Sequence, residues 1–356
     1  MTNLPDAPPA TLRLQVDGAA LAANWKALDR LSGSARAGAA VKADGYGLGV
    51  DAVMPPLLEA GAREFFVAHF SEVPALLEHV GPSQIAVLHG PANFEQAAFA
   101  YAAGVVPVIN SARQAKLWLQ AAGDAESKPC HLMVDTGINR LGLPESDLGD
   151  PTIAALNVDI LMSHLASADE DVKLNALQLK RFGEIAATFP ARRRSLANSA
   201  GIALGKDFAF DLTRPGLSLY GGIAREELTG TIAPVVSLQA QVLQLRDLRP
   251  GDGVGYNTIF TADRPMRTAT LSLGYADGFL RCRGPGGKLS FRGNPLPIIG
   301  RVSMDLTVVD ATTAMNLQEG DFLDVPFDLR EVSVQSGLSQ YELLTGLGRR
   351  FLRQAL

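Results

Sequence analysis

The sequence predicts an α/β protein: a (β/α)8 barrel followed by a mainly antiparallel β-domain. Three observations carry that expectation. From about residue 37 to 215, a short β-branched apolar run is followed repeatedly by a longer Ala/Leu-rich amphipathic stretch. Near Thr229 this theme gives way to short alternating runs punctuated by Gly, Pro and Asn. The length, 356 residues, is too great for one compact core and suits two.

Taken in order, an early strand at 12–16 precedes the first barrel helix and is expected to pair with the β-domain. Barrel strands are read at 38–42, 65–69, 85–89, 105–109, 131–135, 160–164, 195–198 and 210–214, with helices at 71–79, 94–102, 112–121 and 172–187 among the connections. Runs that are apolar throughout indicate parallel strands covered on both faces, and alternation with helices demands βαβ crossovers. Eight strands fit a closed barrel better than an open sheet, which the count alone leaves as the alternative. Downstream, strands are expected at 235–245, 267–273, 288–291, 296–304 and 306–310, separated by turns such as Pro250-Gly251-Asp252-Gly253 and Arg292-Gly293-Asn294-Pro295. A final helix at 339–353 closes the chain. The domains are therefore drawn at 17–228 and 229–356.

Composition narrows the function. A formal net charge of -5 argues against a nucleic-acid binder, which needs a basic face to neutralise phosphates. No apolar run approaches the roughly 20 residues that cross a bilayer, and the first residues lack the basic start and apolar core of a secretory signal. Two cysteines, Cys130 and Cys282, build neither a disulfide framework nor a four-cysteine metal site, and both are expected as buried or half-buried thiols. A cytoplasmic protein with no metal centre is the expectation.

In a parallel barrel the active site gathers at the carboxyl ends of the strands. There the sequence puts Lys42, His69, His89, Asp135, Arg140 shortly after, His164, Asn198 with Ser199, and Arg214. Charged groups rarely end a buried strand for packing reasons alone. Lys42 follows Ala39-Ala40-Val41, so its amine enters an apolar, crowded mouth. Burial there would lower its pKa, as an imine-forming lysine requires. The alternative is a lysine whose head snorkels to solvent, and this context alone leaves the two readings evenly matched.

The residues around and beyond Lys42 tip the balance. Lys42-Ala43-Asp44-Gly45-Tyr46-Gly47 resembles the cofactor-lysine motif of the alanine racemase family, whose members are fold-type III pyridoxal-phosphate enzymes. Further motifs follow in order: Val134-Asp135-Thr136-Gly137-Ile138-Asn139-Arg140-Leu141-Gly142, Ser163-His164-Leu165-Ala166, and Arg214-Pro215-Gly216-Leu217-Ser218-Leu219-Tyr220-Gly221. Val254-Gly255-Tyr256, Gly274-Tyr275-Ala276-Asp277-Gly278 and Gly300-Arg301-Val302-Ser303-Met304-Asp305 lie in the second domain. The resemblance spans nearly the whole chain.

The resemblance implies a barrel followed by a β-domain, pyridoxal 5'-phosphate as cofactor, and interconversion of L- and D-alanine for cell-wall peptidoglycan. It implies that Lys42 holds the cofactor covalently and exchanges the substrate's Cα proton on one face. A second acid/base is needed on the other, since one group returning the proton to its own side mainly regenerates the starting enantiomer. The matching residue is Tyr256, which in the family comes from the other subunit, implying a homodimer. Without the motif, Tyr256 reads as a half-buried strand tyrosine with a satisfied hydroxyl. A phenol titrates near about 10 unless tuned downward, and His164 matches the residue beside that tyrosine and the cofactor. Arg214 matches the arginine facing the pyridine nitrogen. Because arginine holds its proton, that nitrogen stays unprotonated, which restrains transamination and decarboxylation. Tyr46, Ser199 and the amides of Gly216 and Leu217 match the cofactor's phosphate cup, and Asn198 is counted among the cofactor-binding residues. Arg140 matches the fork that meets the cofactor's phenolic oxygen and the substrate carboxylate, Met304 a second contact to that carboxylate, and Tyr275 the substrate entrance.

Two departures stand out. Many family members carry a carbamylated lysine where this chain has Met133, so Asn139, with a chloride or water, is expected to hold Arg140 instead. Arg349 falls near the position of a phosphate-binding tyrosine, in a loosely aligned stretch. Among rivals, fold-type III amino-acid decarboxylases place a glutamate at the pyridine nitrogen and a cysteine from the partner, which Arg214 and Tyr256 do not match. A single-barrel regulatory protein would lack the domain bearing Tyr256. A nicotinamide dehydrogenase would need a Gly-x-Gly-x-x-Gly that Gly45-Tyr46-Gly47-Leu48-Gly49 does not provide. A serine or broader-specificity racemase remains the alternative within the fold, because one methylene is worth only about 1–3 kcal/mol of discrimination.

Overall fold

The computed structural model describes residues 8–125 and 128–355. Its first strand, β1 (Leu12–Val16), alternates buried and half-exposed positions, the period of a sheet with one covered face. It pairs with a strand far downstream, so the segment up to Asp17 belongs with residues from Pro234 onward. Gly18 to Ala233 form the other unit.

Strands of that other unit are short and largely buried along their length. They are β2 (Arg36–Ala37) continuing into β3 (Ala39–Ala40), then β4 (Phe65–Val67), β5 (Ile85–Val87), β6 (Val106–Ile109), β7 (Cys130–Met133), β8 (Val158–Met162), β9 (Arg193–Ser195) and β10 (Leu212–Thr213). From β3 to β9 they form one parallel sheet in sequence order. Helices Val50–Ala60, Phe94–Ala103, Ala112–Ala122 and Lys173–Thr188 make crossovers on its outer side. The ring is then closed. On one edge β10 pairs in parallel with β2, and the N–H groups of Gly38 and Ala40 donate to the carbonyls of Thr213 and Pro215, each at 2.9 Å. On the other, Asp211 and Arg214 donate to Arg194 and Ala197 at 3.0 and 2.8 Å. This is the eight-stranded barrel expected from the sequence, and the open sheet falls away. Trp25, Phe65, Trp118 and Phe182 are among its fully buried side chains, each contributing roughly 1.5–3 kcal/mol or more by leaving water.

The second unit is antiparallel. Its long strand β11 (Val236–Leu248) is followed by the small hairpin β12 (Gly253–Val254) and β13 (Phe260–Thr261), then β14 (Met266–Leu271), β15 (Lys288–Phe291), β16 (Asn294–Ile299), β17 (Thr307–Asp310), β18 (Phe322–Val325) and β19 (Leu352–Ala355). The order β11-β14-β17-β16-β15-β18 returns to β11, closing a six-stranded barrel. A register shift between Val242 and Gln244 lets β11 serve both neighbours. On its flank β1 pairs antiparallel with β11 and parallel with β19.

Three local expectations need correction. The closing helix is only Gln340–Thr345, because glycines at 346 and 348 stop it and the chain then extends into β19. Strand β18 and the helix Leu329–Ser336 were not anticipated. Cys130 is buried as expected, but Cys282 is exposed on a short helical turn. No helix among the described residues is long and apolar enough to cross a membrane.

Candidate active site

Lys42 leaves the carboxyl end of β3 directly into a left-handed turn. Ala43, Asp44, Gly45 and Tyr46 have φ of 55°, 56°, 62° and 56°. Each non-glycine residue in that region costs roughly 1–2 kcal/mol, so the surroundings must hold it. They do so at several points. The Gly45 N–H donates to Val41 O at 2.9 Å and the Gly47 N–H to Ala43 O at 2.8 Å. The Asp44 carboxylate caps the next helix at the Val50 N–H, 2.9 Å away. Burial, then the positive charge of Arg140, holds the Lys42 amine below its ordinary pKa; Glu72 opposes this and Arg214 reinforces it.

Arg214 is buried on the facing strand edge. Its guanidinium donates to Ser195 Oγ and to the carbonyls of Ser163 (2.5 Å) and Leu196 (3.4 Å), all neutral oxygens. Burial pulls its pKa down to about 10, which leaves it charged near neutrality. His164 is pushed down to about 3 by burial and then by Arg214, Arg140 and Lys42, so its imidazole is neutral there. Fully buried Gln178, from Lys173–Thr188, fixes the loops on which these groups sit. It donates to His164 O (3.0 Å) and Thr136 Oγ1 (3.2 Å) and accepts from the Ala166 N–H (2.9 Å).

The depressed histidines make stability depend on pH with a definite sign. His131, buried in β7, is pushed down to about 4 by burial. Below about 6.5 the unfolded chain therefore binds a proton that the folded chain refuses, so stability falls as pH drops toward 4. The slope is about 1.4 kcal/mol per pH unit for His131, with His164 acting in the same direction. Urea unfolding of wild type and His131→Asn across this range checks it. The variant is expected to lose about one proton's worth of slope.

Next to these groups two short helices point their N-termini at one place. Asn198 caps Ser199–Ala203 by accepting from the Gly201 N–H at 2.8 Å, and Gly216 opens the turn Leu217–Tyr220. Buried Ser199 Oγ accepts from the N–H groups of Gly216 (2.9 Å) and Ser218 (3.2 Å), which leaves its own hydrogen for a further acceptor. The Leu217 N–H has no acceptor among the described residues. Tyr46 lies over Gly216 and stacks on Tyr220, ring centroids 4.6 Å apart, while Tyr220 Oη donates to Ala40 O at 2.8 Å. Unpaired amides and a hydroxyl at converging helix starts make an anion cradle.

Arg140 acts electrostatically on Lys42 and His164, but among the described residues it has no hydrogen bond or ion pair. No direct hydrogen bond joins it to Asn139 among the described residues. Asn139 sits at φ 52°, and its N–H is taken by Asp135 Oδ1 at 3.2 Å, together with those of Gly137 (2.7 Å) and Ile138 (3.0 Å). Asp135 thus organises the turn, and Met133 is buried in β7. His69 and His89 meet edge to face, centroids 4.3 Å apart, and His89 is held below its ordinary pKa by burial, His69 and Lys42.

The other predicted residues belong to the β-domain. Tyr256, at the tip of the β12–β13 hairpin, is 68% exposed, flanked by Gly255, Asn257 and Thr258 at positive φ. Tyr275 and Met304 are brought together, since the Tyr275 and Ala276 N–H groups donate to Ser303 O and Met304 O, both at 3.0 Å. Arg350 ties this corner together with bonds to buried Asp277 (2.6 and 2.8 Å) and to Asp305 (2.7 Å); its neighbour Arg349 is exposed. Sequence reasoning missed Glu72, Gln178, Tyr220 and Ser195. Only Tyr220 lay within a recognisable motif.

Comparison with known proteins follows these boundaries. The family models described as alanine racemase, N-terminal domain, and alanine racemase, C-terminal domain, match residues 16–224 and 235–355. The biosynthetic alanine racemase of Agrobacterium fabrum is 40% identical over 98% of this chain and 94% of its own length. The catabolic alanine racemase of Rhizobium johnstonii is 41% identical over 97% and 95%. The crystal structure of alanine racemase from Bartonella henselae, with covalently bound pyridoxal phosphate, superposes with a TM-score of 0.89 at 36% identity. That match covers 98% of this chain and all of the other.

Proposed function

This chain belongs to the alanine racemase family, and from that premise we propose that it interconverts L- and D-alanine using pyridoxal phosphate held on Lys42. The observation that carries the reading is the junction of a depressed-pKa lysine with an anion cradle. Lys42 lies at one strand end, and Ser199, Gly216 and Leu217 converge close by. The residues fit the cofactor. Among the described residues, Ser199 has a hydrogen to give, the Leu217 N–H has no acceptor, and Arg214 is a buried cation bonded to neutral oxygens.

When bound, pyridoxal phosphate supplies an electron-withdrawing ring that acidifies the substrate's Cα–H. Lys42 would hold it, with a neutral amine made more available by burial. Tyr46, Ser199, Gly216 and Leu217 would take the phosphate, with Asn198 holding the helix start that carries Ser199. Arg214 stays protonated at neutral pH, so it offers a ring nitrogen a hydrogen bond without surrendering its proton. Arg140, free of other partners among the described residues, is available for the substrate carboxylate. Lys42 then moves a proton at Cα on one face, and Tyr256 of a second copy on the other. Exposure of Tyr256 at 68% and of Met304 at 54% supports that second copy. Met304 and Tyr275 would line its entrance. The reaction would supply D-alanine for cell-wall peptidoglycan in the cytoplasm. Rescue of a D-alanine auxotroph checks that role, and failure to rescue despite activity in vitro would sink it.

The decisive experiment offers purified protein and pyridoxal phosphate a panel of L-amino acids and follows the D-isomers. Appearance of D-alanine first and fastest is expected. Loss of the carboxylate as carbon dioxide would make it a decarboxylase, and equal turnover of serine a broader racemase. The cradle has its own test. A Cβ on Gly216 would stand 2.2 Å from Tyr46 Oη. Gly216→Ala is expected to weaken cofactor binding roughly ten- to a hundredfold, the scale of overpacking by 1–3 kcal/mol. Titration of cofactor absorbance reads it, and an unchanged affinity would remove Gly216 from the cradle.

A further inference from the structure

Glu72 is a carboxylate beside Lys42 that the scheme above does not use. It lies in the helical turn just past β4, half-buried, and its two oxygens collect three backbone N–H donors. One oxygen takes the Ala43 N–H, the first amide after Lys42. The other takes the N–H groups of Ala68 and His69, at 2.7 and 2.9 Å. The bond to Ala43 links two neighbouring strand exits at the residue where the backbone enters its left-handed turn, φ 55°. Bonds from amides to an ionised carboxylate are shorter and stronger than neutral ones. A carboxylate committed to two amides of its own loop is also a fixed strut for the third.

We propose that Glu72 is a positioning residue for Lys42: its carboxylate clamps the Ala43 amide, setting where the Lys42 side chain departs from the barrel, and places one negative charge beside its amine. That charge stands against a cationic field. Arg140 and Arg214 both disfavour the ammonium form, and Glu72 is the group that favours it. His89 and His164 also feel the charge of Lys42 and are themselves held below their ordinary values. The inference rests on the reading of Lys42 as the cofactor lysine.

The test uses full-length protein stripped of cofactor, with pyridoxal phosphate as the probe. The rate at which the Lys42 adduct's absorbance grows is followed from about pH 6 to about pH 10, a span that ends near the ordinary lysine value and extends well below it. Only the neutral amine reacts, so the rate climbs with pH to a plateau. In Glu72→Gln the plateau is expected to fall roughly ten- to a hundredfold, the scale of a lost charge-assisted hydrogen bond. The midpoint is expected to move to lower pH, because the group favouring the ammonium form is gone. Glu72→Asp keeps the charge on a shorter arm, so it should hold the wild-type midpoint with a reduced plateau. Wild-type plateau and midpoint in Glu72→Gln would overturn the proposal. So would a lowered plateau with an unmoved midpoint in that variant, which a merely structural role produces. Should Glu72→Gln not fold, a wild-type plateau in Glu72→Asp overturns it alone. If the wild type forms no adduct, or Lys42→Ala forms the same one, the failure lies with the cofactor lysine and not with Glu72.

Discussion

Lys42→Ala is expected to lose racemisation by about 10⁴-fold or more. General acid–base participation alone is worth roughly 10²–10⁴, and this residue is assigned both proton transfer and covalent attachment. The same change should abolish the absorbance band of the lysine-bound cofactor, since none of the other groups named at the mouth is a primary amine: they are guanidinium, imidazole, hydroxyl, carboxylate and amide. The fold should survive, because Lys42 is only half-buried and its side chain makes no hydrogen bond among the described residues. Retention of both the band and the activity would refute the assignment. So would loss of activity with the band intact, which would leave Lys42 no part in holding the cofactor.

Tyr256→Phe is expected to separate the two faces of the reaction. Its exposed position on a hairpin tip means the missing hydroxyl should leave the β-domain unharmed. Racemisation should fall roughly 10²–10⁴-fold, the scale of one acid/base group, while cofactor affinity stays near that of the wild type. Solvent deuterium exchange at Cα gives the sharper readout. One enantiomer should still exchange at close to the normal rate, through Lys42, and the other should nearly stop. Equal loss for both enantiomers, in step with loss of cofactor, would contradict a role on one face.

The barrel was legible because its strands are buried on both faces, so each appears as an unbroken apolar run with a polar residue at its carboxyl end. Lys42, His164 and Arg214 stand out for that reason. Glu72 does not, since in Ser71-Glu72-Val73-Pro74 it reads as an ordinary acid at a helix start. Its meaning depends on β3 and β4 being neighbours, a fact of pairing that no local pattern contains. Gln178 is hidden in the same way, a polar residue in mid-helix whose partners come from two other loops. The misjudged closing helix had a readable warning in Gly346 and Gly348, and Asp328 bonding the Glu331 N–H marked the missed helix before it. Asp135 was legible only as a polar strand end, and its bonds to three amides, which shape the turn carrying Asn139 and Arg140, are not written in any local pattern.

The seam that closes the barrel has a consequence for how this protein is kept folded. Lys42 follows the first strand of the ring and Arg214 follows the last, and those two strands meet edge to edge. Their partners are separated by almost the whole unit in sequence, so this junction bears the greatest loop-closure entropy of the ring. A chain that has formed every crossover but not this one has no site. A molecule gripped from both sides of the junction acts as a clasp, stabilising the closed ring by about 2.7 kcal/mol at a hundred times its dissociation constant. Starving such a protein of its vitamin-derived partner would then loosen it first along this one line.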